Sequence, residues 1–174
     1  MKHTLASSEY NVRRAQCETG VAVVLRHVGG VESLRDVTAD MLDTYKGEMD
    51  EVVYRRCRYV VDENQRLLDA CAALEKGDYV TFGQKMNGSH EGLSRQYEVS
   101  CDELDFLADI GHRTDGVLGA RMMGGGFGGC TINLVRAEAY DGYLAEATDR
   151  FAHRFGHAPR VIEVNISQGA RRIG

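Results

Sequence analysis

The stretch Gly-Ala-Arg-Met-Met-Gly-Gly-Gly-Phe-Gly-Gly-Cys occupies residues 119–130. Such a run is a poor helix and a poor strand, because glycine loses more backbone entropy on folding than any other residue. It suits a turn that needs positive φ, and consecutive backbone N–H groups in such a turn can bind an anion such as phosphate. The residues alone leave open a packing turn or a phosphate-binding loop. The glycines concerned are Gly124, Gly125, Gly126, Gly128 and Gly129.

The residues around this glycine loop predict a small sheet. Val117–Met123 and Thr131–Val135 are strand candidates, Asp141–Phe155 has helical spacing, and Val161–Ile166 is a third strand candidate rich in β-branched residues. Because the strands follow a series of helices, we predict an α+β fold whose small, largely antiparallel sheet carries helices on one face. A further strand could come from the extended-looking start, Met1–Ala6, or from residues that the chain lacks.

The chain before residue 117 is predicted to be helical. Its clearest element is Glu48–Lys76, where apolar residues recur at helical spacing. That apolar stripe consists of Val53, Cys57, Val60, Val61, Leu67, Leu68, Cys71 and Leu74, interrupted by Asn64. Capping signals predict further helices from Ser7 or Ser8 to His27, over Ala39–Tyr45 after Thr38, from Asp78 to Tyr97, and from Ser100, with Glu103 completing a capping box, to Gly116.

Polar residues within these helices have alternative interpretations. Arg13 and Arg14 near a helix N-terminus oppose the helix dipole, which points to a function or a tertiary partner. Asn64 is either a core amide that bonds a neighbouring helix or a functional residue. Ser89 and His90 form a polar pair beside an apolar face, either structural or lining a site.

Composition excludes several classes of protein. The 174 residues suit a single domain, 1–174, and 43% apolar with 27% charged residues is typical of a folded globular protein. The net charge is −5 and no Lys/Arg cluster is present, so nucleic acid is a poor partner. No apolar run is long enough to span a bilayer and no signal sequence leads the chain, so a cytoplasmic location is expected.

Cysteine and histidine spacing predicts neither disulfides nor a metal site. The odd number and wide scatter of the cysteines argue against a disulfide framework and against zinc. His153 and His157 could share a helix face as metal ligands, but no third ligand accompanies them, so we predict that they face solvent. The cysteines are Cys17, Cys57, Cys71, Cys101 and Cys130.

The glycine run matches neither common nucleotide-binding loop. No G-x-x-x-x-G-K-[ST] sequence occurs, which excludes a P-loop. A dinucleotide fingerprint requires a helix after the glycines, whereas here a strand follows. Carboxylates are plentiful, but none stands in an apolar context typical of a general base, and no catalytic triad can be inferred from spacing.

Two segments resemble a known family. Residues 2–14, Lys-His-Thr-Leu-Ala-Ser-Ser-Glu-Tyr-Asn-Val-Arg-Arg, resemble the segment that opens the C-terminal half of galactokinases. Residues 119–130 resemble the third conserved motif of the GHMP small-molecule kinases in its galactokinase form. Between them, in the family's order, come Gly83, Ser89-His90, residues 97–100 and Leu104-Asp105. The resemblance covers essentially the whole chain and predicts a GHMP-kinase C-terminal domain.

This resemblance implies a sugar kinase that transfers the γ-phosphoryl group of ATP to the anomeric hydroxyl of galactose, with Mg²⁺. By position, Tyr10 matches the tyrosine that contacts the sugar. The glycines of residues 124–129 match the wall of the active site that supports phosphate binding, through backbone amides rather than titratable side chains.

The departures from the family concern what the chain lacks. The family's sugar-signature motif, nucleotide loop, catalytic aspartate and charge-stabilising arginine belong to an N-terminal half that is absent here. We therefore expect no catalytic residue in this chain, no firm binding of ATP or Mg²⁺ by it alone, and the N-terminal half as a partner. Self-association through an exposed apolar face near Tyr10 and the glycine loop is also expected. Met123 stands where threonine is usual. The alternative is a non-enzymatic galactokinase-like module that binds a sugar or a protein.

Overall fold

The computed structural model describes residues 2–164 and 169, with side chains described from residue 9 onward. Five helices precede a pair of antiparallel strands in this part of the chain, and a sixth follows them. None of these helices is long and apolar enough to cross a membrane. The elements are α1 Lys2–Leu25, α2 Ala39–Tyr45, α3 Glu51–Glu75, α4 Tyr79–Arg95, α5 Asp102–Arg113, β1 Val117–Met123, β2 Cys130–Val135 and α6 Tyr140–Phe155.

The two strands confirm the predicted α+β class with a small antiparallel sheet. Pairing runs from Val117 opposite Val135 to Met123 opposite Cys130, and the register shifts between Val117 and Gly119. The glycine loop, residues 124–129, therefore connects the two strands at the Met123–Cys130 end. Helices α4 and α5 both pack on β1.

Helix α4 approaches β1 backbone to backbone. A Cβ atom at Gly119 would lie 2.7 Å from the Cα of Gly83, and one at Gly83 would lie 3.0 Å from the Cβ of Leu118 and still closer to its carbonyl group. Real Cβ atoms do not make such contacts, so glycine at both positions permits this packing. The contact fixes β1, and with it the start of the glycine loop, against α4.

A separate apolar core joins α1, α2 and α3. The side chains of Val24, Leu42 and Cys57 are fully buried there. Gly20 of α1 lies against Cys57 of α3, and a Cβ at Gly20 would collide with that thiol. Thr38 caps α2 as predicted, since its hydroxyl accepts from the backbone N–H of Met41.

Helix α6 packs against α5, and Val117 and Val135 of the strands pack against the same apolar cluster. Ile110, Tyr143 and Ala147 are buried together, as the spacing of α6 predicts. The helix ends at Gly156, whose φ of 77° forms a left-handed cap.

The start of the chain is helical, so the predicted extended segment Met1–Ala6 is wrong for residues 2–6. Helix α1 begins at Lys2, and Ser7 and Ser8 lie within it. No glycine or proline occurs between Lys2 and Gly20, so nothing in the sequence breaks the helix there. This segment supplies no strand to the sheet.

The third predicted strand, Val161–Ile166, does not form over residues 161–164, and residues 165–166 lie outside the described part of the chain. Val161, Ile162 and Val164 are exposed. Strand propensity mainly measures packing on a pleated, half-buried surface, and these side chains have no such surface to pack on.

Two helix predictions also need correction. The apolar stripe of α3 is buried only in its first half, and Leu67 and Leu68 are each 63% exposed, because α1 and α2 cover only the first half. The predicted capping box at Ser100 is absent. Cys101 occupies the N-cap of α5, and the Ser100 hydroxyl instead donates to Asp105 Oδ1 at 2.5 Å.

Candidate functional site

Four positions of the glycine loop require glycine because of their backbone conformation. Gly124, Gly126, Gly128 and Gly129 have φ between 86° and 129°. Gly125 does not have positive φ, and a Cβ atom there would meet nothing of this chain within 4 Å. Positions 124 and 128 are also open. The loop therefore presents accessible backbone, which suits the approach of a bulky anionic group.

One side of the loop is fixed to the segment that precedes α5. The backbone N–H of Phe127 donates to the carbonyl oxygen of Val99 at 2.7 Å. At Gly126, a Cβ atom would lie 2.9 Å from both the carbonyl carbon and the Cβ of Val99. Phe127 itself has a positive φ of 59° and packs against a small core of Val99, Leu104 and Met122. This anchor leaves the open positions on the outer part of the loop.

Arg13 joins α1 to the same segment. Its Nε donates to the carbonyl of Tyr97 at 2.8 Å, and its Nη2 donates to that of Glu98 at 2.7 Å. A further bond from Nη1 reaches Glu9 at 2.7 Å, and the guanidinium lies 5.7 Å from the ring centre of Phe127. The side chain is only 7% exposed. The basic pair on α1 thus has a tertiary partner at Arg13, and it lies several turns beyond the helix start at Lys2.

Tyr10, the predicted sugar contact, lies on α1 three residues before Arg13. Its side chain is 62% exposed and lines a cleft of about 740 Å³ between α1, α3 and residues 32–35. Asn64 lines the same cleft and donates to the carbonyl of Leu34 at 3.5 Å. The amide therefore bonds a loop, so the interpretation that it bonds a neighbouring helix is wrong. Tyr10 shares α1 with Arg13, but none of the residues that line its cleft belongs to the glycine loop.

Cys17 also lines this cleft, and the sequence pattern does not distinguish it as a site residue. Its thiol lies 3.6 Å from the hydroxyl of Tyr97. The interaction with the Cys57 thiol lowers the pKa of Cys17, because it stabilises the thiolate. The same interaction, together with burial, raises the pKa of Cys57. Cys17 is thus the more nucleophilic of the two thiols.

His90 supports β1 from α4, and Ser89 of the same helix bonds α3. The backbone N–H of Met122 donates to Nδ1 of His90 at 3.1 Å, so the ring proton of the neutral histidine resides on Nε2, which lies 3.2 Å from Asp105 Oδ1. Burial lowers the pKa of His90. Ser89 donates to Glu63 of α3. Both residues therefore make structural contacts, but His90 also lines a cleft of about 620 Å³, so its site-lining interpretation stays a prediction.

Two further side chains bind the backbone of β1. Asn87 Oδ1 accepts from the N–H of Ala120 at 2.8 Å. His112 Nε2 lies 2.8 Å from the carbonyl oxygen of Ala120, to which it donates in the corresponding tautomer. The strand that leads into the glycine loop is thereby held along the edge opposite β2.

No metal-binding cluster occurs among the residues that the structure describes. His153 and His157 are exposed, and the ring of His157 lies 5.5 Å from that of Phe151. The chain therefore offers exposed loop backbone and an exposed tyrosine, but the described residues do not form a donor set for a divalent cation.

The comparisons with known proteins cover the whole chain. Residues 70–149 match the family model described as "GHMP kinases C terminal". A galactokinase of Clostridium beijerinckii is 38% identical over 174 residues, which is 99% of this chain and 44% of the relative. A Bos taurus galactokinase is 49% identical over 139 residues, 80% of this chain and 34% of the relative.

A solved structure gives the same result. The crystal structure of Lactococcus lactis galactokinase complexed with galactose matches with a TM-score of 0.82 and 33% identity, over 87% of this chain and 39% of that one. The chain spans less than half the length of these relatives. Residues 70–149 thus match the C-terminal family model of the GHMP kinases, and the chain is similar in sequence and fold to the C-terminal part of galactokinases.

Proposed function

We propose that this chain is the C-terminal domain of a galactokinase, the enzyme that transfers the γ-phosphoryl group of ATP to the C1 hydroxyl of galactose. The observation that carries the proposal is the glycine loop, which ends a fixed strand and leaves the backbone open at Gly124, Gly125 and Gly128. Phosphoryl transfer depends mainly on positioning and charge stabilisation, which preorganised backbone N–H groups can supply.

In this proposal the loop forms one wall of the phosphate-transfer site and Tyr10 contacts the sugar. The exposure of Tyr10, on the helix that anchors the loop, supports that role. We propose that residues 1–174 form one domain and that an N-terminal part of the kinase supplies the catalytic groups, so the chain alone is inactive. ATP use follows from the family. We propose that the Mg²⁺ ligands come largely from that other part.

The partners and location follow from the same proposal. Galactose, ATP and the N-terminal part are the expected partners of the assembled enzyme. The chain's five cysteines are free, which suits the reducing cytoplasm. Exposed apolar residues on α1 and α3, including Val12, Leu25, Leu67 and Leu68, favour self-association when the partner is absent. Light scattering that shows a monomer at every concentration would exclude that last point.

The test combines this chain with the part of the Clostridium beijerinckii galactokinase that it does not match. An ATP-coupled assay with galactose should show turnover for the combination and none for the chain alone. Turnover by the chain alone would refute the division of roles. Binding of galactose by a combination that transfers no phosphate would favour the sugar-binding module instead.

A charge placed in the loop tests its role directly. Gly125→Asp adds a carboxylate at an open position, where it should repel ATP phosphate and lower kcat/KM for ATP by about tenfold or more. Gly142→Asp is the matched control, since position 142 is equally open but lies on α6. Equal activity of the two variants would show that the loop is not part of the phosphate site.

A further inference from the structure

The glycine loop is attached to a tight turn whose backbone conformation is energetically unfavourable. Residues 95–99 connect α4 to the segment before α5, and within them Glu98 has a positive φ of 56°. A non-glycine residue at positive φ is uncommon and persists where its surroundings determine it. The N–H of Val99 donates to Leu93 at 3.0 Å, while its carbonyl accepts from Phe127 of the loop at 2.7 Å. The turn therefore sets where the loop is attached.

Three arginines, Arg13, Arg55 and Arg56, converge on this turn, and we call them the arginine clamp. From α3, Arg55 donates to the carbonyl of Arg95 at 2.9 Å and to the Glu98 carboxylate at 3.1 Å. Arg56 donates to the same carboxylate at 2.9 Å. Arg13 binds two backbone carbonyls of the turn from α1, as described above. Helices α1 and α3 thus bind backbone carbonyls of the turn, and α3 also binds the side chain of Glu98.

Two of the three arginines are buried, so the arginine clamp differs from an ordinary surface ion pair. The side chains of Arg13 and Arg56 are 7% and 9% exposed, and a buried guanidinium is costly unless it is well paired. Arg56 and Arg55 of α3 lower the pKa of the Glu98 carboxyl group, whereas the carboxylate that pairs with Arg13 is that of Glu9 on α1. Loss of a partner would leave a buried charge unpaired, so the turn is held in a single position.

The path from clamp to loop is short. Arg13 binds the carbonyls of residues 97 and 98, residue 99 binds Phe127, and the Arg13 guanidinium lies over the Phe127 ring at 5.7 Å. The arginine therefore contacts both the turn and the loop residue that the turn anchors. No other described element supplies a backbone hydrogen bond to the loop from outside the sheet.

We propose that the arginine clamp positions the glycine loop, with Arg13 as its principal positioning residue. Its effect on the structure stands by itself, and its effect on phosphoryl transfer rests on the proposed function of the loop. The clamp acts through the turn at residues 95–99, and none of its members is a catalytic residue.

Hydrogen exchange in the isolated chain tests the structural part. Arg13→Lys keeps the charge but cannot bind two carbonyls with a planar guanidinium, so the Phe127 amide should exchange about tenfold faster or more, while amides of α6 keep their rates. Arg150→Lys is the matched control. Arg150 also pairs with a carboxylate four residues earlier and lies over a phenylalanine ring, but it does so on α6. Glu98→Gln is a milder second variant with the same expected direction.

An unchanged Phe127 amide in both clamp variants would overturn the proposal. So would an equal rise in all amides, because that result would describe a general loss of stability. A rise in the Arg150→Lys control would have the same meaning.

Kinetics of the assembled kinase separate this inference from the proposed function. Arg13→Lys should lower kcat/KM for ATP by about tenfold, while KM for galactose stays within about twofold. If the loop amide exchanges faster and the kinetics do not change, the clamp is confirmed and the phosphate role of the loop is refuted. If the exchange does not change, the clamp itself is refuted.

Discussion

Substitution of Gly126 by alanine gives the sharpest measure of how tightly the loop is held. Gly126 has φ of 86°, where an L-residue with a Cβ costs about 1–2 kcal/mol. The new methyl group would lie 2.9 Å from the carbonyl carbon of Val99 and closer still to its oxygen, the atom that accepts from Phe127. The loop must move away, which sacrifices a hydrogen bond worth about 1 kcal/mol.

We therefore expect Gly126→Ala to lower the free energy of unfolding by about 2–3 kcal/mol. For a domain of this size, that corresponds to a fall in Tm of about 5–10 °C. Urea unfolding followed by far-UV circular dichroism measures the first quantity, and a thermal scan measures the second. The slope of the urea transition should not change, because the rest of the fold is retained.

Gly125→Ala is the internal control for this experiment. Position 125 has neither positive φ nor a neighbour within 4 Å, so its free energy of unfolding should change by no more than about 0.5 kcal/mol. Equal losses for the two variants would mean that the contact with Val99 does not hold the loop. The anchor described for Phe127 would then be wrong.

Three further predictions concern the surroundings of the loop. Gly83→Ala should lower the free energy of unfolding by about 1–3 kcal/mol, because a methyl group cannot fit against β1. At Gly88 a methyl group would meet only the movable side chain of an arginine, so Gly88→Ala should raise the free energy of unfolding by up to about 1 kcal/mol through helix propensity. Urea unfolding measures both values. Burial lowers the pKa of His90 below its usual value of 6.5, so as the pH falls His90 is protonated in the unfolded chain before it is protonated in the folded one. The contribution of His90 to stability should therefore be complete above pH 6.5, and stability should fall as the pH drops from 6.5 to the folded-state pKa. His90→Gln should remove that part of the pH dependence, and an unchanged profile would contradict the assignment. Cys57→Ala should slow the alkylation of Cys17 by iodoacetamide at pH 7, because it removes the thiol whose interaction lowers the pKa of Cys17. Peptide mass spectrometry measures the rate, and an equal or faster rate would exclude that interaction.

The sequence predicts the loop and its strands well because their signals are local. Several adjacent glycines mark a turn with positive φ, and short, mainly apolar runs flank it on both sides. The same locality explains the correct caps at Thr38 and Asp78, whose side chains bond N–H groups only three residues away. Such features depend little on the rest of the chain.

The failures concern features that depend on distant partners. Residues 161–164 have strong strand propensity, yet they form no strand, because propensity alone provides no neighbouring edge. Leu67 and Leu68 continue an apolar stripe that no described element covers. Arg13 stands out in the sequence as a misplaced charge, but its partners lie 84 and 85 residues away and could not be identified from spacing. The sugar-binding role of Tyr10 and the phosphate role of the loop remain predictions.

The side chains that bind β1 from α4 and α5 also decide where this small sheet can grow. Asn87 and His90 accept the N–H groups of Ala120 and Met122, and His112 binds the Ala120 carbonyl. These are the groups through which an unprotected edge recruits a foreign strand, in domain swapping or in amyloid. Here side chains of α4 and α5 take up the hydrogen-bonding groups that a neighbouring strand would use. Mutations at these three positions would therefore open a new edge for aggregation as well as loosen the fold.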